Sequence, residues 1–159
     1  MMNPIIQSLY DRKSCRIFED KEISQKEKQL ILEACMQAPS AGNQQMYTII
    51  DVQDQKLQET LSKTCDNQPF INQAKMVLIF CADFQKWFDL FNYENCNPRK
   101  PGVGDLLLAT TDATIAAQNA VVAAESLGIG SCYIGDILEQ HDLHLSLIHI
   151  SEPTRPISI

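Results

Sequence analysis

The chain has no excess of positive charge: 13 lysines and arginines stand against 20 aspartates and glutamates, a formal net charge of -7. A surface that tracks nucleic-acid phosphates or an anionic bilayer needs a basic face, so neither nucleic acid nor membrane is an expected partner. No CxxC pair occurs among the six cysteines, and several lie in apolar runs, such as Cys81 in MVLIFCAD. A thiol there behaves as a small buried hydrophobe. Reduced cysteines are therefore expected, rather than a disulfide framework or a zinc site. Neither GxGxxG nor GxxxxGK followed by Ser or Thr is present, so neither glycine-rich device can be what grips a phosphate. The N-terminus lacks a basic region followed by a long apolar core, and no run is expected to reach the length of a membrane span. The expectation is a soluble cytoplasmic protein, and a chain of 159 residues suits one domain.

What the sequence does have is a basic knot, Arg12-Lys13-Ser14-Cys15-Arg16, out of character in an acidic chain. Arg12 and Arg16 are four apart with Ser14 between them. On a turn leaving a helix, guanidinium forks and a hydroxyl in that spacing can converge on one dianionic phosphate. A solvated basic patch is the plain alternative.

Helix and strand signals surround the knot. Asn3-Pro4 fits a cap followed by proline at the first helical position, opening a helix to about Tyr10. Ser24 with Glu27 forms a capping box, and Leu30, Ile31, Ala34, Cys35 and Ala38 recur at helical spacing until Pro39 stops the run. PSAGNQQ is a small-residue loop, YTIIDV a strand, and residues 54–64 a helix. KMVLIFCAD (75–83) is apolar on both parities and reads as a central strand covered on both faces. NCNPRKPGVGD (95–105) reads as a surface loop. A long helix with seven alanines follows, with Asp105 as its possible cap and Gly128 as its stop. Those alanines permit close backbone approach inside the core or against a partner, or merely favour helix. GSCYIGDI is expected to be a short strand ending at Gly135, with a helix barely begun at Asp136. Strands and helices without a regular βαβ count favour an α+β class.

RKSCRIFEDKEIS, APSAGNQQ and DATIAAQNAVVAAESLGIGSCYIGDI, in that order, resemble the FMN-dependent nitroreductase family. FINQAKMVLIFCADFQKW is similar to its NADPH-preferring, oxygen-insensitive nitroreductase and flavin reductase branch. The resemblance covers about residues 3–140. It implies a mixed sheet flanked by helices, an α-β-α sandwich, paired as a homodimer with FMN at the interface. It assigns Arg12, Lys13, Ser14 and Arg16 to FMN phosphate, ribityl or pyrimidine groups; the family often has histidine where Arg12 stands. Ser40, with Asn43 and Gln44 as neighbours, would reach the flavin from the partner subunit, and Gln68 would reach it too. Tyr133, Ile134, Gly135 and Asp136 would line the isoalloxazine. The reaction implied is ping-pong, with NADPH or NADH passing a hydride to FMN N5 and a nitroaromatic, quinone or free flavin as acceptor. A flavin carries such chemistry itself, so no catalytic side chain is needed. His141 and His144 are expected at the surface and Asp83 as a helix cap. A non-catalytic flavin-binding regulator, or a dehalogenating or flavin-fragmenting relative, remains an alternative.

The last stretch, LSLIHISEPTRPISI, resembles something else. Translated transposon adapter from shotgun libraries reads Leu-Ser-Leu-Ile-His-Ile-Ser-Glu-Pro-Thr-Arg, identical to Leu145 through Arg155. The expected organisation is a partial FMN-binding domain at 1–144 and an adapter-derived tail at 145–159, so His149 is not considered a ligand or base. Relatives of full length carry another strand, a Lys/Arg phosphate segment and a C-terminal extension. A chain without them is expected to fold poorly or bind FMN weakly.

Overall fold

Asn3 accepts from the Ile5 amide at 2.9 Å and Pro4 takes the first helical position, so α1 (Pro4–Asp11) begins where cap and proline place it. The computed structural model describes residues 3–151, with the backbone alone for 149–151. In α2 (Gln25–Met36) the capping box forms both ways: Ser24 accepts from the Glu27 amide at 3.3 Å, and Glu27 accepts from the Ser24 amide at 2.8 Å. A cap of this kind is worth about 1 kcal/mol. Ile31 and Cys35 face the core, and burying an isoleucine side chain stabilises by roughly 1.5–3 kcal/mol. Carbonyls at the end of α2 take second partners from other elements. Asn119 donates to Ala34 at 3.0 Å, and the Tyr47 hydroxyl donates to Cys35 at 3.3 Å.

The expected strands form β1 (Tyr47–Asp51) and β2 (Leu78–Ala82), an antiparallel pair with Tyr47 opposite Ala82 and Asp51 opposite Leu78. β2 is shorter than the apolar run suggested, yet both of its parities are used. Leu78 and Phe80 pack against a cluster of Ile31, Cys35, Tyr47, Ala113, Ala116, Ala120 and Ala124. Ile79 and Cys81 pack on the other side with Val52, Leu57, Leu61 and Ile71. Residues from α3 (Gln55–Thr64), capped by Asp54, and from a 3₁₀ turn at Pro69–Gln73 build that second side. α4 (Gln85–Tyr93) follows β2. The α+β expectation holds, with helices flanking a small sheet.

α5 (Val103–Ser126) starts three residues earlier than expected. Gly102 is its cap and Asp105 stands one turn inside, where its carboxylate accepts from the Gly102 amide at 2.8 Å and from both Arg99 Nη atoms at 2.7 Å. A carboxylate three residues in can serve an orphan amide that a residue at the cap position itself could not. Its end is as expected. Gly128 takes φ 74°, the Ile129 amide donates to Ala124 at 2.9 Å, and the Gly128 amide donates to Glu125 at 3.0 Å. Ala109, Ala113, Ala116, Ala117, Ala120 and Ala124 are buried. By length and composition α5 would pass for a membrane span, contrary to expectation; its alanine face is packed against α2 and the strands.

GSCYIGDI is not a strand. Among the described residues it makes one parallel bridge, Ser131 to Ser14, and a strand needs a ladder of such partners. A 3₁₀ turn occupies Asp136–Leu138, and α6 (His141–Ser151) begins later than expected. α6 runs across the 144/145 junction, and Leu147 and Ile148 pack, partly buried, on the second cluster. Residues 152–159, the rest of the adapter-like stretch, lie outside the described residues.

Candidate functional site

The basic knot leaves α1 at Arg12, whose amide still donates to Ser8 at 3.0 Å, and continues extended. Cys15 then donates its amide to the Ser131 carbonyl at 2.9 Å. This single parallel contact sets the knot beside the segment leading to Tyr133–Asp136. It depends on Gly130, where a Cβ would stand 2.9 Å from Cys15 Cβ and 3.2 Å from its Sγ. Cys15 is therefore packed against a glycine.

Around this junction the expected residues gather. Tyr133 is half-exposed, and its hydroxyl donates to Gln118 Oε1 at 3.3 Å. Burial raises the Tyr133 phenol, and the Arg12 charge works the other way. Gln68 Nε2 donates to Asp136 Oδ2 at 2.8 Å and to the Cys65 carbonyl at 3.0 Å. Burial raises the Cys65 thiol, and the charge of Asp136 adds to it. The chain just after the knot is fastened near Gln68. Phe18 tilts against Phe70 with ring centroids 6.4 Å apart, and Lys75 Nζ meets Asp20 at 2.8 Å and Glu22 at 2.9 Å. Those carboxylates push Lys75 up to about 12. Arg12, Lys13, Ser14, Arg16, Gln68, Tyr133, Ile134, Gly135 and Asp136 thus lie on segments tied together.

Ser40 and Asn43 do not join that group. They lie on the APSAGNQQ loop, in which Gly42, Asn43 and Gln45 adopt φ of 59°, 55° and 49°. Ser40 Oγ accepts from the Gln45 amide at 3.0 Å. The loop is held by a residue that sequence reasoning missed. Asp112 is 3% exposed, and its two carboxylate oxygens accept from the Ala41 and Met46 amides, each at 3.2 Å. Trp87 Nε1 donates to the Gln44 carbonyl at 2.7 Å, and Lys86 Nζ donates to the Tyr47 carbonyl at 2.8 Å. Burial pushes the Lys86 ammonium down, against the charges of Asp83 and Asp112. An acid in the middle of an alanine helix, between Asp105 and Glu125, was the available signal. Asp83 does act near a helix start, accepting from the Lys86 amide at 3.3 Å and from Thr48 Oγ1 at 2.6 Å.

His141 is exposed as expected, but His144 is not a surface residue: it is 3% exposed. α6 turns it onto α3, where neighbours distant in sequence cover it. His149 lies in the backbone-only part of α6.

The donor set fits an anion with a planar body. Arg12, Lys13 and Arg16 form no salt bridge among the described residues, so three cations and the Ser14 hydroxyl are uncommitted beside a half-exposed tyrosine ring. An open polar cleft of about 660 Å³ lies elsewhere, between Phe18, Asp20, Lys28, Asp51, Asn72 and Lys75, and none of the expected cofactor residues lines it. Among the described residues no group of His, Cys, Asp and Glu could hold a metal. All six cysteines are unpaired thiols, and burial raises Cys35 to about 11.

Comparison with known proteins gives a consistent result. The model of the Nitroreductase family matches residues 9–159. An "FMN reductase", NAD(P)H, of Bacillus subtilis is 36% identical over 163 residues, 99% of this chain and 64% of that protein. An "Oxygen-insensitive NADPH nitroreductase" of Salmonella typhimurium is 31% identical over 157 residues, 98% of this chain and 63% of that protein. Among solved structures, B. megaterium NfrA2 superposes with a TM-score of 0.88 at 36% identity, covering 95% of this chain and 62% of that one. The Vibrio harveyi NADPH:FMN oxidoreductase, complexed with NAD+, superposes with a TM-score of 0.86 at 28% identity, covering 94% and 64%. The chain thus spans less than two thirds of the length of these relatives.

Proposed function

The chain belongs to the nitroreductase family, and on that premise we propose that it is the FMN-binding part of an NAD(P)H-dependent oxidoreductase acting on small-molecule acceptors. The observation that carries this reading is the Ser14–Ser131 bridge, which sets the uncommitted cations of the knot beside Tyr133–Asp136. FMN, when bound, would supply the hydride chemistry of a ping-pong cycle between NADPH or NADH and a nitroaromatic, quinone or flavin acceptor. Arg12, Lys13 and Arg16 hold the phosphate by charge, and Ser14 adds a hydroxyl donor. Tyr133, Ile134 and the Gly135 backbone line the ring system. With both Nε2 protons of Gln68 given to Asp136 and Cys65, its Oε1 stays available as an acceptor.

Ser40 and Asn43 serve the site of a second copy, in a homodimer. Support for that pairing comes from exposed apolar side chains on α1 (Ile5, Ile6, Leu9) and on the first turns of α5 (Leu106, Leu107, Leu108). The compartment proposed is the cytoplasm. Residues 1–144 are part of the FMN-binding domain, and 145–159 are adapter-derived. DNA from the source locus would then depart from this sequence after His144, and an uninterrupted natural frame encoding LIHISEPTR would refute that part.

The activity is tested by NADPH oxidation with menadione or nitrofurazone as acceptor, on the domain with its natural C-terminus. Turnover with bound FMN is expected. Bound flavin that neither NADPH nor NADH reduces would point to a non-catalytic flavin-binding protein instead.

A further inference from the structure

His144 has both ring nitrogens engaged. Nδ1 lies 2.6 Å from the Ile137 carbonyl and Nε2 lies 2.8 Å from Thr64 Oγ1, with Cys65 Sγ at 3.9 Å. A carbonyl only accepts, so Nδ1 carries a proton. Thr64 Oγ1 is also 3.1 Å from the Thr60 carbonyl, and its one hydrogen can serve only one of the two neighbours. With a neutral ring, the hydroxyl turns to Nε2. With a doubly protonated ring, it turns to Thr60 and accepts from Nε2. The link to Ile137 is the same in both cases.

These bonds close a circuit. From Thr64 it runs through His144 to Ile137, one residue along to Asp136, across to Gln68, and back through Gln68 Nε2 to the carbonyl of Cys65, the neighbour of Thr64. Gln140 adds a parallel strut, donating to the Thr64 carbonyl at 2.8 Å. The Asp136–Leu138 turn is therefore fixed to the C-terminal end of α3 at two points, one of them the buried imidazole.

We propose that His144 is a positioning residue: through Ile137 it holds the Tyr133–Asp136 segment and the Gln68–Asp136 pair in the geometry that receives the flavin. This rests on the FMN reading above. Nothing in it requires His144 to touch the flavin.

The test uses His144→Asn and His144→Gln in the full chain. Asparagine places an amide N–H near the position of Nδ1 and can still donate to Ile137. Glutamine extends to the position of Nε2 and loses that bond. Both lose the ring, so packing loss falls on both; asparagine keeps the Ile137 bond and gives up the one to Thr64, glutamine does the reverse, and the pair tells which bond holds the turn. The first readout is hydrogen exchange at the Leu138 and Glu139 amides, which close the 3₁₀ turn onto Gly135 and Asp136. Loss of one hydrogen bond corresponds to about five-fold faster exchange in the glutamine variant, with the asparagine variant close to the parent. The second readout is FMN affinity from quenching of flavin fluorescence, expected to fall about five-fold for glutamine and to be restored by asparagine. Equal exchange in parent and glutamine variant, or equal loss in both variants, overturns the clamp. Faster exchange with unchanged FMN affinity overturns its positioning role. No FMN uptake by the parent chain carrying its natural C-terminus refutes the FMN reading instead, and the exchange data still decide the clamp.

Discussion

Gln68 donates to the carboxylate of Asp136 at 2.8 Å across a sequence separation of 68 residues. One residue comes from the turn after α3 and the other from the segment after α5. Their bond locks two parts of the chain that His144 and Gln140 also tie together at Thr64.

Gln68→Ala should weaken FMN binding about five-fold, the size of one net hydrogen bond. The melting temperature should barely change, because Gln68 is only half-buried and the carboxylate of Asp136 can be rehydrated. Fluorescence titration and thermal melting separate the two effects. A large loss of stability with unchanged affinity would mean the pair serves the fold alone.

Asp112→Ala should destabilise the chain by about 2–4 kcal/mol, since it strips the Ala41 and Met46 amides of a buried ionic acceptor. Asp112→Asn keeps one acceptor oxygen and should cost less. Urea denaturation measures both. Equal midpoints for all three chains would contradict this account of the loop.

Gly130→Ala forces a methyl to within 2.9 Å of Cys15 Cβ. The knot must move away, at a cost of roughly 1–3 kcal/mol, and FMN affinity should drop with it. Removing the opposing Cβ with Cys15→Gly in the same chain should recover part of the affinity. Additive losses in the double variant would show that contact is not the cause.

Arg99 and the Gly102 amide lower Asp105 from its ordinary 3.8 to about 2. A lowered carboxylate favours the folded arrangement above its unfolded value, and that contribution disappears as pH falls through the folded one. The tie between loop 94–102 and α5 should thus be complete above about pH 4 and released towards pH 2. The Gly102 amide resonance should titrate with a midpoint near 2. In Arg99→Ala the midpoint should move up towards 3.8. An unchanged midpoint would exclude the Arg99 fork as the cause.

Local signals in the sequence were reliable where the cause is local. The Ser24–Glu27 box, the Asn3-Pro4 start and the Gly128 stop each depend on groups within one turn of helix, and each forms. The two-sided apolar pattern of β2 also survives, because its parity is a property of the strand itself. Asp105 shows the limit: an acid near a helix start was recognised, but its position at the third helical residue was not. His144 and Asp112 were out of reach for another reason. What buries them comes from residues 80 and 66–71 positions away, and no window along the chain contains both. The knot stood out by its charge and Tyr133–Asp136 were named from family likeness; that one backbone bridge joins them could not be read from either stretch.

The alanine face of α5 has a mechanical consequence. At about 1.5 Å per residue its 24 residues make a rod some 36 Å long. Asp112, part-way along it, carries the Ser40 loop, and the turn at Gly128 feeds the Ser131 bridge to the knot. With side chains this short there is no soft layer to absorb a shift. Enlarging Ala109 or Ala116 would lever the rod and shift the Ser40 loop and the Ser131 bridge in one motion, so the two segments share a common alignment that neither holds alone.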